Sequence, residues 1–357
     1  MRHNKELECF RDSKKSENAL TGLVSRHATV LSCLGNRQSL CRGKNLGIRM
    51  EQGVNESVTI VRAGEQVLDG DGTGGHEPTF GLALGGGGAR GICHINVVEA
   101  LDELGIRPVA ISGSSIGSII GAGMAAGMSG REIREYTLEL MGRKGSVANR
   151  LWSLGPASMR HAVDGFRLGQ FNLELILHAL MPQALPKDFS ELAIPLKVIT
   201  TDYYAQTEVV VESGEIIQAL AASAAIPALF MPVRIDGRIM IDGGIFNPVP
   251  YEHLLDQADI VIGVDVVGGP EGDGTTMPNR LDSLFGASQL MMQAAIALKL
   301  RLRPPHIFLR PPVHRFGVLD FLKSEEVLNA SAGIKDDLKR QIDMQVELFH
   351  RGQGVEA

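Results

Sequence analysis

The stretch FGLALGGGGARG, Phe80–Gly91, joins an apolar run to four consecutive glycines and then to a helical pattern. Each glycine costs conformational entropy on folding, so such a tract indicates positive φ angles or a backbone that another group approaches closely. The run before the tract predicts a buried strand, and the pattern after it predicts an amphipathic helix that ends at Gly105. This stretch therefore predicts a strand–loop–helix unit.

The same alternation of short apolar runs and helical patterns continues to the end of the chain. Further helices are predicted from Pro248 onward, over about 280–301 and over about 323–350. Such alternation is typical of an α/β fold with a mostly parallel central sheet and helices on both faces. We expect one domain over residues 80–357, ending in a C-terminal helix.

Residues 1–79 differ from the rest of the chain. Residues 1–50 carry ten Lys/Arg and four Asp/Glu, and the remainder carries 25 and 37, so net charges of +6 and −12 result. The run DGDGTGGHEP, Asp69–Pro78, has the composition of a flexible linker. We expect a basic, poorly ordered extension, which is either a targeting or membrane-contact arm or an over-extended gene start before Met50.

Composition excludes several classes of protein. A net charge of −6 argues against nucleic-acid binding through bulk charge. No apolar run is long enough to span a bilayer, and no signal-like segment opens the chain. Four cysteines without zinc-site spacing indicate a reducing compartment and no metal site. The expected location is cytoplasmic, with peripheral contact at the membrane, and no cofactor is expected.

The glycine loop admits two interpretations. Gly86, Gly88 and Gly91 satisfy the G-x-G-x-x-G pattern of dinucleotide binding after a strand and before a helix. The next predicted strand, however, ends in Gly-Ser-Ser without the acidic residue that binds a ribose. A nucleotide-binding protein stays open as an alternative.

The second interpretation depends on GSSIG, Gly113–Gly117, which fits the G-x-S-x-G pattern of a nucleophile elbow. Ser115 is then a nucleophile on a sharp turn, and Gly113 and Gly117 leave room for neighbouring elements. Amides of the glycine tract would stabilise the oxyanion of an acyl transfer. Arg90 would stabilise that loop, bind a phosphate group or form a salt bridge.

A serine nucleophile needs a base. No downstream histidine is placed persuasively among His161, His178, His253, His306 and His314. Three aspartates lie near the predicted carboxyl ends of strands, where α/β sheets bind ligands: Asp202, Asp242 and Asp265. Spacing alone does not choose among them.

Four motifs in order, GGGGARG, GSSIG, ASAAIPALFMP and DGG followed by IFNPVP, resemble the patatin-like phospholipase family, in the style of its compact bacterial members. The resemblance covers about residues 79–310 and implies a three-layer α/β/α fold with a Ser–Asp dyad and no catalytic histidine. It makes Ser115 the nucleophile and Asp242 the base. It assigns the oxyanion hole to Gly86, Gly87, Gly88 and Ala89. From the residues themselves we expect supporting roles for Arg90, Gly113, Gly117, Gly243 and Gly244.

The function implied by this resemblance is hydrolysis of lipid esters by a serine esterase of phospholipase type. A non-catalytic regulator with the same fold is a further alternative, and the oligomeric state stays open. His94 is expected to be packed or bonded to backbone. The apolar face around Met291 on the helix over 280–301 is expected to pack in the core. Contact with lipid is the less common alternative.

Overall fold

The computed structural model describes residues 76–142 and 171–353. They belong to the compact unit Gly72–Ala357, one of two into which the chain divides. The expected poorly ordered extension over 1–79 lies outside the described residues, apart from 76–79, and the proposed boundary at residue 80 stays a prediction.

In the part of the chain that the structure describes, eight strands form one sheet. They are β1 (Phe80–Leu84), β2 (Ala110–Ser114), β3 (Leu196–Asp202), β4 (Thr207–Val211), β5 (Val233–Ile235), β6 (Arg238–Asp242), β7 (Ile260–Val264) and β8 (Ile307–Leu309).

The α-helices of the described residues pack on this sheet. They are α1 (His94–Glu103), α2 (Ile116–Ala125), α3 (Gly130–Gly142), α4 (Leu173–Leu180), α5 (Ile216–Ser223), α6 (Arg280–Leu302), α7 (Ser324–Ala330) and α8 (Ile334–Gln353). None of these helices is long and apolar enough to cross a membrane.

The sheet is mixed. Strands β3, β2, β1, β7 and β8 are parallel neighbours, whereas β4, β5 and β6 join by antiparallel pairing. The expected α/β fold with a mostly parallel sheet is confirmed. Short turns account for the antiparallel pairs β3–β4 and β5–β6, because a tight connection leaves no room for the crossover that parallel pairing needs.

Both faces of the sheet are covered, which makes the fold three-layered. Along β1, Leu82 and Leu84 enter the larger apolar core, while Ala83 enters a smaller core on the other face. The smaller core also contains Leu254 and, from α6, Ile296. Side chains alternate between faces in a strand, so a strand that is apolar throughout reports burial on both sides.

The pairing of β3 brings two remote strand ends together. Ile199 of β3 pairs with Ser114 of β2 and, on its other edge, with β4. The next residue, Thr200, pairs with β4 and with Asp242 of β6. Strands β2 and β6 therefore share one edge of β3 and run toward each other, so their carboxyl ends meet.

Two predicted helices differ from the structure. The segment after Pro250 forms only a single 3₁₀ turn, Tyr251–His253, because Leu254 packs directly over Gly81, where an added Cβ would lie 3.1 Å from that of Leu254. The C-terminal helix is divided into α7 and α8. Buried Ser331 bonds back to the carbonyl of Val327 at 2.7 Å, and this competes with continued helix.

Candidate active site

Ser115 lies on a sharp turn between β2 and α2. Its φ is 53° and its ψ is −124°, a conformation that a residue with a side chain rarely adopts. The turn tolerates no side chain at Gly117, where a Cβ would lie 2.1 Å from the carbonyl oxygen of Leu84. The backbone N–H of Ser115 donates to Ser223 Oγ at 2.9 Å. The strained turn therefore places the Ser115 hydroxyl beyond the end of β2.

Ser115 and Asp242 are in direct contact. Ser115 Oγ donates a hydrogen bond to Asp242 Oδ2 at 2.7 Å, and both residues are buried. The other carboxylate oxygen, Oδ1, accepts from the amide of Gly244 at 2.7 Å. Gly243 also packs closely, because a Cβ there would lie 2.0 Å from the carbonyl of Ile199.

Burial changes the acidity of Asp242. Removal from water raises the pKa of this carboxyl to about 6, against the opposing effect of the hydrogen bonds from Ser115 and Gly244. The group is therefore ionised at neutral pH, yet it is a stronger base than an exposed aspartate. A base poised near the working pH suits proton abstraction from a hydroxyl.

The glycine loop passes beside the serine. At Gly86 an added Cβ would lie 3.3 Å from that of Ser115. The amide of Gly86 donates to the Pro248 carbonyl at 2.9 Å, and that of Ala89 donates to the Val318 carbonyl at 2.8 Å. Within the described ranges, the amides of Gly87 and Gly88 donate no hydrogen bond. Of the four residues predicted for an oxyanion hole, these two have free donors.

Residues outside the two motifs hold the glycine loop and the serine turn: His94 bonds the start of the loop, and Ser223 bonds the turn. His94, fully buried on α1, donates from Nε2 to the Gly85 carbonyl at 2.8 Å. Burial lowers the pKa of His94 to about 4, so the ring is neutral at pH 7. The expectation that His94 bonds backbone agrees with this contact. The role of Ser223 was missed, since a serine inside a run of alanines carries no signal of its partner.

Arg90 follows the loop and is almost completely buried. Its Nε donates to the Gly87 carbonyl at 3.3 Å, and Nη2 lies 2.7 Å from the amide oxygen of Gln289 when that amide faces it. Burial lowers the pKa of Arg90 to about 10, which leaves it charged at neutral pH. No carboxylate of the described residues forms an ion pair with Arg90. Its contacts therefore agree with the expected role of holding the loop and not with the expected salt bridge.

The remaining sequence candidates lie elsewhere. Asp202 accepts from the amides of Tyr204 and Ala205 and from Arg238, which closes the β3–β4 turn. Asp265 pairs with Arg310.

The histidine candidates are not placed at the serine. His306 accepts from the Val261 amide, and His178, His253 and His314 face Glu215, Glu208 and Glu271. His161 lies outside the described residues.

One cluster has the donor types of a metal site: Glu208, Glu252 and His253. Lys299 lies against it, with ion pairing to Glu252 at 2.5 Å and a bond to the Val249 carbonyl at 2.8 Å. An ammonium group there already supplies the positive charge that a metal ion would bring. The cluster therefore needs no metal to balance its carboxylates.

A pocket opens beside the serine and the aspartate. Its walls are mainly apolar and come from the glycine loop, the turn after Asp242, helix α6 and the segments that follow α5, β7 and β8. They include Ile226, Pro227, Ile245, Val267, Leu284, Phe285, Met292 and Val318. Arg90 contributes the positive charge at one wall. The pocket is suited to an apolar group with a polar or anionic end.

The fold and this site define a class: a three-layer α/β domain with a buried serine–aspartate pair at a strand–turn–helix elbow. Residues 82–255 match the family model described as patatin-like phospholipase. This match confirms the resemblance found in the motifs.

Individual relatives agree with this assignment. An uncharacterized NTE family protein of Mycobacterium tuberculosis is 34% identical over 202 residues, which are 56% of this chain and 52% of that protein. A lysophospholipase of Debaryomyces hansenii is 24% identical over 383 residues, 94% of this chain and 23% of that protein. The chain thus spans about half the length of the first relative and about a quarter of the second.

Solved structures also align with the chain. VipD from Legionella pneumophila aligns with a TM-score of 0.36 and 17% identity, over 71% of this chain and 67% of that one. Human GIVD cytosolic phospholipase A2 aligns with a TM-score of 0.37 and 11% identity, over 76% and 60%. These similarities are too low to support an argument about function.

Proposed function

We propose that this protein is a serine acyl-ester hydrolase that acts on lipids, with Ser115 as nucleophile and Asp242 as base. The observation that carries the proposal is the 2.7 Å hydrogen bond from the Ser115 hydroxyl to the Asp242 carboxylate. A nucleophile bonded to a buried base, beside free backbone amides, is the arrangement that acyl transfer requires.

In the first half of the reaction, Asp242 takes the proton of Ser115 as Oγ attacks the ester carbonyl carbon. The negative charge moves to the carbonyl oxygen, where the free amides of Gly87 and Gly88 donate hydrogen bonds to it. When the intermediate collapses, the C–O bond to the leaving alcohol breaks. Asp242 returns its proton to that alcohol, and the acyl group stays on Ser115.

In the second half, water replaces the alcohol. Asp242 takes a proton from the water as its oxygen attacks the acyl-enzyme, and the same amides stabilise the second oxyanion. Cleavage of the Ser115 ester releases the fatty acid, and the proton on Asp242 restores the serine hydroxyl. The raised pKa of Asp242 assists both proton transfers.

The substrate class follows from the pocket and the family. Apolar walls suit an acyl chain, and Arg90, which forms no ion pair within the described residues, suits the phosphate of a phospholipid. The match to patatin-like phospholipases and the relative named lysophospholipase support lipid esters over other esters. The proposed partner is accordingly a lipid ester, with the protein peripheral at a membrane.

The test is labelling of the purified protein with a fluorophosphonate, together with hydrolysis of a soluble chromogenic acyl ester. Ser115→Ala should abolish labelling and lower kcat by at least about 10³-fold, and Asp242→Asn should lower kcat by about 10²–10⁴-fold. Ser114→Ala is the matched control, since the neighbouring hydroxyl is buried and unbonded within the described part of the chain. Near-normal hydrolysis by Ser115→Ala would refute the assignment.

The same samples separate the alternatives. A nucleotide-binding protein should be stabilised against heat by NAD or ATP and should not react with the fluorophosphonate. A non-catalytic regulator should show neither labelling nor hydrolysis in the wild-type protein.

A further inference from the structure

The long helix α6 presents an apolar surface to solvent. Leu290, Met291, Leu298 and Leu302 are 56%, 67%, 59% and 76% exposed, and we call these four residues the α6 outer face. They lie on one side of the helix at spacings of seven and four residues, with exposed Ala294 between them. Ile296, on the opposite side, is buried in the smaller core. Core packing, one of the two sequence expectations for this helix, therefore holds only for its inner side.

Charge on α6 is distributed unevenly. Arg280 and Arg301 are exposed near the two ends of the helix, and neither forms an ion pair within the described residues. The acidic residue of the helix, Asp282, lies on another side and lines the groove next to Arg90. An acidic chain with a net charge of −6 thus presents an apolar surface here with basic residues at its ends.

The α6 outer face belongs to the helix that also lines the pocket. Leu284 and Met292 of the same helix line the pocket, and Leu284, 44% exposed, lies seven residues before Met291 on the side of the outer face. Ile245, in the turn after Asp242, also lines the pocket, and Ile245 and the adjacent Phe246 are 40% and 45% exposed. Exposed apolar residues therefore continue from the helix to the rim around Ser115.

We propose that the α6 outer face docks on a phospholipid bilayer that contains anionic lipid. Apolar side chains gain free energy by entering the bilayer interface, and Arg280 and Arg301 are attracted to anionic head groups. This proposal rests on the proposed function, because docking would serve lipid hydrolysis. An ester with long acyl chains would then move from the bilayer into the apolar pocket without crossing water.

The charges favour a bilayer over a second copy of the chain. If two α6 outer faces packed antiparallel, Arg280 of one copy would approach Arg301 of the other, and like charges oppose that contact. A bilayer with anionic lipid is complementary to both arginines at once. Self-association is retained as an outcome of the test.

The experiment measures sedimentation with vesicles in a Ser115→Ala background, so that binding is separated from hydrolysis. Vesicles are pure phosphatidylcholine or contain about 30% phosphatidylserine. The double variant Met291→Gln/Leu298→Gln should bind at least about 10-fold more weakly to both. The matched control is Met344→Gln/Leu348→Gln on α8, also a half-exposed Met and Leu. Since α8 packs into the core on the other face of the sheet, this control should change binding less than about twofold.

A second variant tests the charge. Arg280→Gln/Arg301→Gln should lose about fivefold per arginine on vesicles with phosphatidylserine and should leave binding to pure phosphatidylcholine unchanged. The proposal would be overturned if Met291→Gln/Leu298→Gln bound vesicles as strongly as the wild-type protein does. So would sedimentation velocity showing a wild-type dimer that this substitution dissociates without weakening vesicle binding.

Failure of this proposal and failure of the proposed function give different results. With Ser115 present, Met291→Gln/Leu298→Gln should hydrolyse a soluble short-chain ester at the wild-type rate and hydrolyse vesicle lipid about 10-fold more slowly. Hydrolysis of both substrates at wild-type rates would refute the docking proposal and leave the proposed function standing. If the wild-type protein binds vesicles through the α6 outer face but hydrolyses no ester, the proposed function is refuted and the docking proposal stands.

Discussion

Replacement of Asp242 by asparagine tests whether burial controls the acidity of the site. Burial raises the pKa of Asp242 to about 6 from 3.8. The folded protein therefore binds this proton more tightly than the unfolded chain does. The stabilising effect is complete below the unfolded pKa and is lost as pH rises through the folded pKa. The difference corresponds to about 3 kcal/mol of free energy of unfolding, of which about 2 kcal/mol falls between about pH 4.5 and pH 8.

Asparagine has nearly the shape of aspartate and cannot ionise. Its oxygen still accepts from Gly244, and its NH₂ group donates to Ser115 Oγ, so both contacts are kept with one polarity reversed. We expect the variant to gain stability relative to wild type by about 2 kcal/mol as pH rises from about 4.5 to 8. Urea unfolding followed by circular dichroism, at several pH values across this range, measures the difference. Other ionisable groups are common to both proteins and cancel.

The result that would refute this reasoning is a constant difference in stability across the range. It would mean that Asp242 titrates alike in the folded and unfolded chains, so that burial does not raise its pKa. A difference with the opposite slope would mean that hydrogen bonds to the carboxylate outweigh burial.

Three further predictions concern the same site. Since the base must be ionised, kcat/KM for a soluble ester should rise with pH through about 6 and then level off; a profile that falls over this range would contradict the role of Asp242. His94→Gln should lower kcat by about 10-fold with little change in KM, because the bond to the Gly85 carbonyl that positions the loop is disturbed; equal loss in KM would indicate a different cause. Gly117→Ala should lower the free energy of unfolding by more than about 3 kcal/mol, because its Cβ would lie 2.1 Å from a carbonyl oxygen. Gly121→Ala, one turn further along α2, meets only a side-chain methyl at 3.1 Å and should cost less than about 1 kcal/mol, as thermal or urea unfolding would show.

Local patterns were sufficient for much of the architecture. The strands around the glycine loop and the elbow, helix α6 and the overall α/β class all follow from periodicity and from glycine placement. Local patterns failed where tertiary contact overrides them, as at Leu254, which packs on Gly81, and at Ser331, whose hydroxyl also accepts from Asn96 at 2.8 Å.

By itself, the sequence determined that a serine stands on a tight strand–turn–helix elbow and that an amide-rich loop precedes it. Spacing left Asp202, Asp242 and Asp265 equivalent as bases, and only family resemblance separated them. The tertiary structure decides which carboxylate meets the serine, because β2 and β6 end against each other on one edge of β3. It also decides which loop amides are free and which side of α6 faces water. Those properties depend on contacts between residues far apart in the chain, and no local pattern encodes them.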